Sequence, residues 1–258
     1  MAAPRPAFSG REHDGDALGA VSTTTAVRTE VAGDGVLRVV LARTERRNAI
    51  DVAAVDALHH AMDAAEVDGV RAVVLTSAEP GVFCAGADIR IGDDERAYVS
   101  DRLYALYERL LELPAPVVAA VDGAAVGGGA QLVMASDISI GGPSSRFRFA
   151  GAGHGLAVSA WALPSLVGRG RALDLCLSMR WVARQEAFSL GLLTRTAQDA
   201  PAAAHELATE LVRRDPRAVA RIKRLVNEPD LLERLRRERT ANAQWNGSVE
   251  GVEAREQS

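Results

Sequence analysis

The sequence predicts an α/β fold, in which strands buried on both faces alternate with helices. Two continuous apolar runs, Ala72–Thr76 and Val117–Val121, are typical of strands covered by helices on both sides of a sheet. Each run is followed by a loop that contains glycine and then by apolar residues at helical spacing. Beyond Ala200 the pattern is almost entirely helical, so we expect repeated βα units and a helical C-terminal region.

Composition excludes several classes of function. The 258 residues are 48% hydrophobic and 25% charged, which is ordinary for a globular protein with a full core. A net charge of −4 gives no support for a nucleic-acid partner. Cys84 and Cys176 make neither a disulfide framework nor a metal-ligand spacing, so no metal is expected. We expect no membrane span and a reducing cytoplasmic compartment.

The first half of the chain is expected to contain a hairpin, long helices and buried strands. Residues 1–26 lack the apolar segment of a signal peptide and are predicted to form a flexible tail. Gly33-Asp34-Gly35 is a hairpin turn signal, and Asp51 is a favourable helix N-cap. The predicted elements are strands at Ala26–Val31, Val36–Ala42, Ala72–Thr76 and Val117–Val121, a loop at Ser77–Ile89, and helices at Val52–Val67, Arg96–Leu113 and Gln131–Ala135.

The second half is expected to add two short strands and a series of helices. Asp137–Ile140 is predicted as a strand, and Arg146–Phe149 alternates in the manner of an edge strand. The predicted helices are Ser159–Val167, Ala172–Leu177, Ala183–Leu190, Ala202–Arg213, Pro216–Asn227 and Leu231–Trp245.

Two loops share one pattern, because each follows a buried strand, contains glycine and leads into a helix. If they lie side by side, the backbone N–H groups of Ala87 and Gly128 can point into one cavity. Two converging donors of this kind form an oxyanion hole, which stabilises negative charge on a carbonyl oxygen. Two ordinary βα turns are the alternative.

Several segments together resemble the crotonase superfamily, also called the enoyl-CoA hydratase/isomerase family. They are Leu41-x-Arg43 with Asn48-Ala49, Phe83–Ile89, Ala119–Gly123 with Gly127-Gly128-Gly129, Leu166–Ala172, and Lys223-x-x-x-Asn227. The resemblance implies a spiral of ββα repeats over residues 27–197 and a helical trimerisation region over 198–258. It also implies trimers or hexamers that bind an acyl-CoA thioester, with no other cofactor. Ala87 and Gly128 match the oxyanion-hole positions, and substrate-contacting positions fall on Ala49, Ala85, Asp88 and Ile89.

The family's two catalytic glutamates are replaced. Gln131 stands where hydratases have the first, two residues after the third glycine, and Gly151 stands at the position of the second. Hydration needs one group to deprotonate water and another to protonate the α-carbon. Gln131 can orient a water but does not titrate, and Gly151 has no side chain. We therefore do not expect conventional hydratase activity.

Other residues offer alternatives for the missing chemistry. His154 can act as a base near neutral pH, although a structural or solvent-facing histidine is the competing interpretation. Gly151 also resembles the dihydroxynaphthoyl-CoA synthase branch, in which bicarbonate replaces the carboxylate, but the supporting aspartate of that branch is missing. Asp88 is expected to cap the helix that follows it.

A more local similarity points to a mycobacterial subgroup that lacks both glutamates and binds long acyl-CoAs without hydrating them. It rests on Phe147-Arg148-Phe149, Gly155–Val158, Trp161 and Leu166–Ala172. Arg43, Arg46 and Arg47 precede the first helix and are candidates for CoA phosphate contacts, since arginine suits phosphate. Trp161, Leu106, Leu110 and Val158 are candidates for the acyl pocket wall, with core packing as the alternative.

Three hypotheses follow for the function. The first is an acyl-CoA-binding protein that keeps the oxyanion hole and lacks conventional hydratase activity. The second is an enoyl-CoA hydratase/isomerase, or another acyl-CoA lyase, that uses water held by Gln131 or a base at His154. The third is a structural or regulatory subunit that acts through its trimer surface.

Overall fold

The protein folds as an α/β structure with two sheets. The computed structural model describes residues 22–23, 26–31, 33–67, 69–227 and 230–247. The strands are β1 (Ser22–Thr23), β2 (Val27–Val31), β3 (Val36–Leu41), β4 (Ala72–Ser77), β5 (Gly81–Cys84), β6 (Val117–Val121), β7 (Gly123–Val126), β8 (Ile138–Gly141), β9 (Arg146–Arg148), β10 (Val182–Ala183) and β11 (Arg195–Thr196).

The helices lie between these strands and after them. They are α1 (Val52–Ala65), α2 (Asp93–Glu112), α3 (Gly128–Ala135), α4 (Leu163–Val167), α5 (Arg169–Ser178), α6 (Arg184–Leu190), α7 (Ala200–Val212), α8 (Pro216–Asn227) and α9 (Asp230–Asn242), with 3-10 turns at Thr44–Arg46 and Ala152–His154. The predicted cap of α1 is confirmed, since Asp51 accepts from the Ala54 N–H at 2.9 Å. Among the described residues, no helix is long and apolar enough to cross a membrane.

The larger sheet has the order β1-β2-β3-β4-β6-β8-β11 in the part of the chain that the structure describes. β3, β4, β6, β8 and β11 are parallel, whereas β1 and β2 pair antiparallel. One face packs on α7, where Val74 and Val118 contact a layer of alanines and Leu207. The opposite face packs on the main core, which includes residues of α1, α2 and α3. This two-sided burial confirms the prediction made from the apolar runs.

The smaller sheet has the order β10-β9-β7-β5 among the described strands, and it was largely missed by the sequence prediction. β5 lies within the predicted loop 77–89, and β7 follows the turn after β6. In two ββα units, β4-β5-α2 and β6-β7-α3, the first strand joins the large sheet and the second joins the small one, whereas both strands of β2-β3-α1 lie in the large sheet. The prediction of an edge strand at Arg146–Phe149 is wrong, because β9 lies between β7 and β10.

Some predicted boundaries also need correction. Helix α3 begins at Gly128, three residues before the predicted start, and α4 begins at Leu163 because Ser159 adopts a left-handed φ of 65°. Within the predicted tail, Ser22–Thr23 pairs with β2, and Ala26 is buried. The rest of that segment and residues 248–258 lie outside the described residues.

The helical C-terminal region is present, and polar contacts of Lys223 hold it against α2 and the strands of the large sheet. Lys223 of α8 lies 2.8 Å from the Asp137 carboxylate and donates to the carbonyl oxygens of Leu110 and Ala115. Helix α9 lies along α2, where Arg239 pairs with Asp101 at 2.7 Å. This arrangement brings α9 close to the candidate site.

Candidate functional site

The two glycine-containing loops lie against each other. A Cβ placed on Gly86 would come within 2.7 Å of the Val126 carbonyl oxygen and 3.1 Å of the Gly128 nitrogen. Gly86 also has a φ of 86°, which side chains rarely adopt. The backbone of the loop after β5 therefore lies against the backbone at the start of α3. The oxyanion-hole hypothesis needs the two loops to lie side by side in this way.

Neither candidate donor, the Ala87 N–H nor the Gly128 N–H, is used by the backbone hydrogen bonds that surround it in the described part of the chain. Ile50 donates to the Gly86 carbonyl oxygen at 2.7 Å and accepts from the Asp88 N–H at 2.8 Å, so this bridge does not use the Ala87 N–H. Gly128 is the first residue of α3, where a backbone N–H has no acceptor within its own helix. The positive end of the α3 dipole lies at the same place.

The start of α3 is held tightly by its neighbours. A Cβ on Gly129 would lie 2.3 Å from the Cys84 carbonyl oxygen, so only glycine fits there. Tyr107 donates its hydroxyl proton to the Gly128 carbonyl oxygen at 3.0 Å. The Cys84 thiol is fully buried beside this junction, and burial raises its pKa to about 12. The thiol therefore stays protonated and does not provide a nucleophile.

Gln131 is buried one turn further along α3. Its Oε1 accepts from the Ser159 N–H at 3.1 Å and from the Trp161 indole N–H at 2.8 Å. These two donors occupy both lone pairs of Oε1, so this oxygen has little capacity to accept from the water that Gln131 was expected to orient.

The space beside Gly151 is filled by protein. A Cβ on Gly151 would lie 2.6 Å from Val158 Cβ and 2.7 Å from the Leu156 carbonyl oxygen. A side chain at position 151 would therefore require Val158 or the Leu156 backbone to move. The similarity to the dihydroxynaphthoyl-CoA synthase branch stays a prediction.

Hydrogen bonds and ion pairs join the loop before α1 to the loop after β5. Ala85 donates to the Arg47 carbonyl oxygen at 3.0 Å, and Arg43 donates to the Ala49 carbonyl oxygen at 2.8 Å. Arg43 also pairs with Asp51 at 2.8 Å and Asp88 at 3.1 Å. The structure thus brings five of the predicted site residues together at one place.

Two predictions about this region change. Asp88 does not cap a helix, because α2 begins at Asp93, and the Asp88 carboxylate accepts from the Arg90 N–H at 3.0 Å. Arg43 forms ion pairs with two carboxylates and so links the loop before α1 to the loop after β5. Arg46 and Arg47 have exposed side chains, which leaves them as the better candidates for phosphate contact.

Residues 32–258 match the family model described as enoyl-CoA hydratase/isomerase. The chain belongs to this family, the crotonase superfamily. It is 37% identical over 203 residues to a protein of Mycobacterium tuberculosis named probable enoyl-CoA hydratase, covering 78% of this chain and 82% of that one.

Solved structures agree with the family assignment. An enoyl-CoA hydratase from Mycobacterium avium is 32% identical, with a TM-score of 0.76, and the match covers 87% of this chain and 90% of that one. An enoyl-CoA hydratase/isomerase from Pseudoalteromonas atlantica is 28% identical, also with a TM-score of 0.76, over 86% and 92% of the two chains.

The remaining predicted site residues of this crotonase lie in different surroundings. Trp161 is 1% exposed, and Leu106 and Leu110 are equally buried in the core, whereas Ile89 is 46% exposed. His154 ends the 3-10 turn at 152–154 and is half-buried, and its backbone N–H donates to the Gly151 carbonyl oxygen. Their roles toward a ligand stay predictions.

Sequence reasoning missed Glu238, a buried carboxylate on α9. It accepts from the Tyr104 hydroxyl at 2.8 Å, the Ser159 N–H at 3.1 Å and the Trp161 N–H at 2.7 Å. Burial is the main cause that raises the pKa of this carboxyl to about 7. Among the described residues, no cluster of His, Cys, Asp and Glu could hold a metal ion.

Proposed function

We propose that this crotonase binds acyl-CoA thioesters, with the thioester carbonyl oxygen between the N–H groups of Ala87 and Gly128. The observation that carries the proposal is the contact between Gly86 and Gly128, which places the two donor-bearing loops side by side. Backbone donors fixed in this way stabilise negative charge on a carbonyl oxygen without reorganising. Family membership supports an acyl-CoA ligand.

We propose in addition that the protein does not hydrate enoyl groups by the two-glutamate route. Gln131 does not titrate, and its Oε1 already accepts hydrogen bonds from Ser159 and Trp161. Val158 fills the space in which a side chain at position 151 would lie. The site therefore supports polarisation of a thioester better than proton transfer. This combination agrees with the similarity to the mycobacterial subgroup.

The experiment is calorimetric titration with acetyl-, hexanoyl- and palmitoyl-CoA, with free CoA as the comparison. We expect saturable binding of at least one thioester, stronger than that of free CoA because free CoA has no thioester carbonyl at its sulfur end for the two donors. Absence of binding to every thioester overturns the proposal.

Enoyl-CoA hydratase/isomerase activity is the second candidate, and the names of the relatives favour it. Loss of the conjugated enoyl absorbance of crotonyl-CoA measures hydration directly. Wild type is compared with Gln131→Ala and His154→Ala. A wild-type rate above background that falls in either variant supports this candidate, whereas one background rate for all three excludes it.

The assembly and location of the protein belong to the same proposal. We propose a homotrimer or hexamer in the cytoplasm, with Arg46 or Arg47 contacting CoA phosphates. Mass measurement in solution tests the oligomer. Weaker binding of acyl-CoA by Arg47→Ala, with unchanged binding of the matching acyl-pantetheine, tests the phosphate contact, because pantetheine lacks the nucleotide phosphates.

A further inference from the structure

One backbone N–H connects Gln131 to the C-terminal helix. The Ser159 nitrogen lies 3.1 Å from Gln131 Oε1 and 3.1 Å from Glu238 Oε1, so the two oxygens share a single donor. Trp161 repeats the link, since its backbone N–H donates to Glu238 and its indole N–H donates to Gln131. Glu238 and Gln131 are thus joined through the same short segment, residues 159–161.

The surroundings of Glu238 make it the one group of this cluster that changes charge near neutral pH. It is 6% exposed, and the titratable groups that face it from other elements are Tyr104 and Tyr107 of α2 and Cys176 of α5. Burial raises the pKa of both tyrosines, and it raises that of Cys176 to about 11. These three groups therefore stay neutral when Glu238 ionises.

We propose that Glu238 is a positioning residue that fixes the Gln131 amide through residues 159–161 and that excludes a second carboxylate at position 131. The carboxylate holds the Ser159 and Trp161 backbone, and that backbone with the indole orients Gln131 Oε1. A glutamate at 131 would share the Ser159 donor with Glu238, and two such carboxylates do not both ionise readily. The proposal concerns the site of the proposed function but does not depend on ligand binding.

The consequence is that Gln131→Glu alone does not recreate a hydratase base. The new carboxyl and Glu238 would lose their protons in two separate steps, the second at a higher pH than in wild type. Replacement of Glu238 by glutamine in the same protein would leave one carboxyl, now at position 131, with the Trp161 indole as its donor.

The test follows Trp161 in the full-length, ligand-free protein by fluorine NMR after incorporation of 5-fluorotryptophan. The chain has three tryptophans, and Trp161→Phe assigns the signal. We expect the Trp161 signal of wild type to titrate with a midpoint near pH 7 and to become pH-independent in Glu238→Gln. Glu233→Gln, an exposed control on the same helix, should titrate as wild type does. A pH-independent wild-type signal, or a titration that persists in Glu238→Gln, overturns the proposal.

A second comparison keeps the test decisive if Glu238→Gln folds poorly. The midpoint in Gln131→Glu, which keeps Glu238, should lie at least one pH unit above that in wild type. Equal midpoints in wild type and Gln131→Glu would contradict the exclusion of a second carboxylate. Because no ligand is present, these outcomes are independent of whether acyl-CoA binds.

Discussion

Tyr107 on α2 donates its hydroxyl proton to the carbonyl oxygen of Gly128, the first residue of α3, over 3.0 Å. The Tyr107 side chain is fully buried, so α2 sets the position of the residue whose N–H is a proposed oxyanion donor. Tyr107→Phe should therefore lower the free energy of unfolding by about 1 kcal/mol, the usual net value of one hydrogen bond. Urea denaturation measures this change. Tyr98→Phe, on the exposed face of the same helix, should have little effect, and equal stabilities of the two variants would contradict the argument.

Replacing Gly128 by proline removes its N–H and puts the ring Cδ in the place of the hydrogen. Gly128→Pro deletes the donor at the first position of a helix, which proline tolerates, and Gly128→Ala adds a Cβ but keeps the donor. Both variants meet the same neighbours, Leu103 and Tyr107. We expect acyl-CoA affinity in Gly128→Pro to be at least about five-fold weaker than in Gly128→Ala, since one hydrogen bond contributes about 1 kcal/mol and the ring Cδ also crowds the place of the carbonyl oxygen. Calorimetric titration tests this, and equal affinities would remove Gly128 from the oxyanion hole.

Lys223 is buried with its charge paired to Asp137, and it holds α8 to the turn before β6. Lys223→Met leaves the half-buried Asp137 carboxylate without its cation, which should cost up to about 3–5 kcal/mol, the typical cost of breaking a buried pair. Asp137→Asn should cost less in the Lys223→Met background than in wild type, because no ion pair is left to break. Denaturant unfolding of the double-mutant cycle measures both effects. Arg224→Met, an exposed neighbour on α8, is the control, and a loss of stability equal to that of Lys223→Met would contradict a specific role for the pair.

Glu238 predicts a particular dependence of stability on pH. Its pKa rises from an ordinary 4.5 to about 7 in the folded chain, so between these values the folded state holds a proton that the unfolded state releases. Stability is therefore lost as the pH rises through this window. Between pH 5.5 and 8, wild type should lose about 2 kcal/mol more than Glu238→Gln. Urea unfolding at the two pH values gives the difference. If the free energy of unfolding changes equally in both proteins, Glu238 does not titrate between pH 5.5 and 8.

Much of the large sheet and of the glycine-rich junction could be predicted because their signals are local. The run at β6 is apolar throughout and that at β4 over its first four residues, a pattern typical of burial on both faces. Strands β5 and β7 were missed because each has only four residues and is stabilised by pairing with the other, 42 positions apart at Gly81 and Gly123.

The missed part of the candidate site depends on contacts that are distant in sequence. Glu238 lies in α9, a segment whose many charges are typical of a solvated helix face, and its partner Ser159 is 79 positions away. The filling of the space beside Gly151 depends on the position of Val158, which no spacing in the sequence specifies. The cap prediction for Asp88 failed because α2 begins only at Asp93, and the Asp88 carboxylate instead pairs with Arg43, 45 positions earlier.

The most direct measurement is equilibrium dialysis of the wild-type protein with crotonyl-CoA, followed by mass spectrometry of the recovered ligand. We expect saturable binding and recovery of crotonyl-CoA with its mass unchanged, because the proposed donors Ala87 and Gly128 would polarise the thioester while positions 131 and 151 supply no proton-transfer group. Recovery of the hydrated product in place of crotonyl-CoA, or the absence of saturable binding, would contradict it.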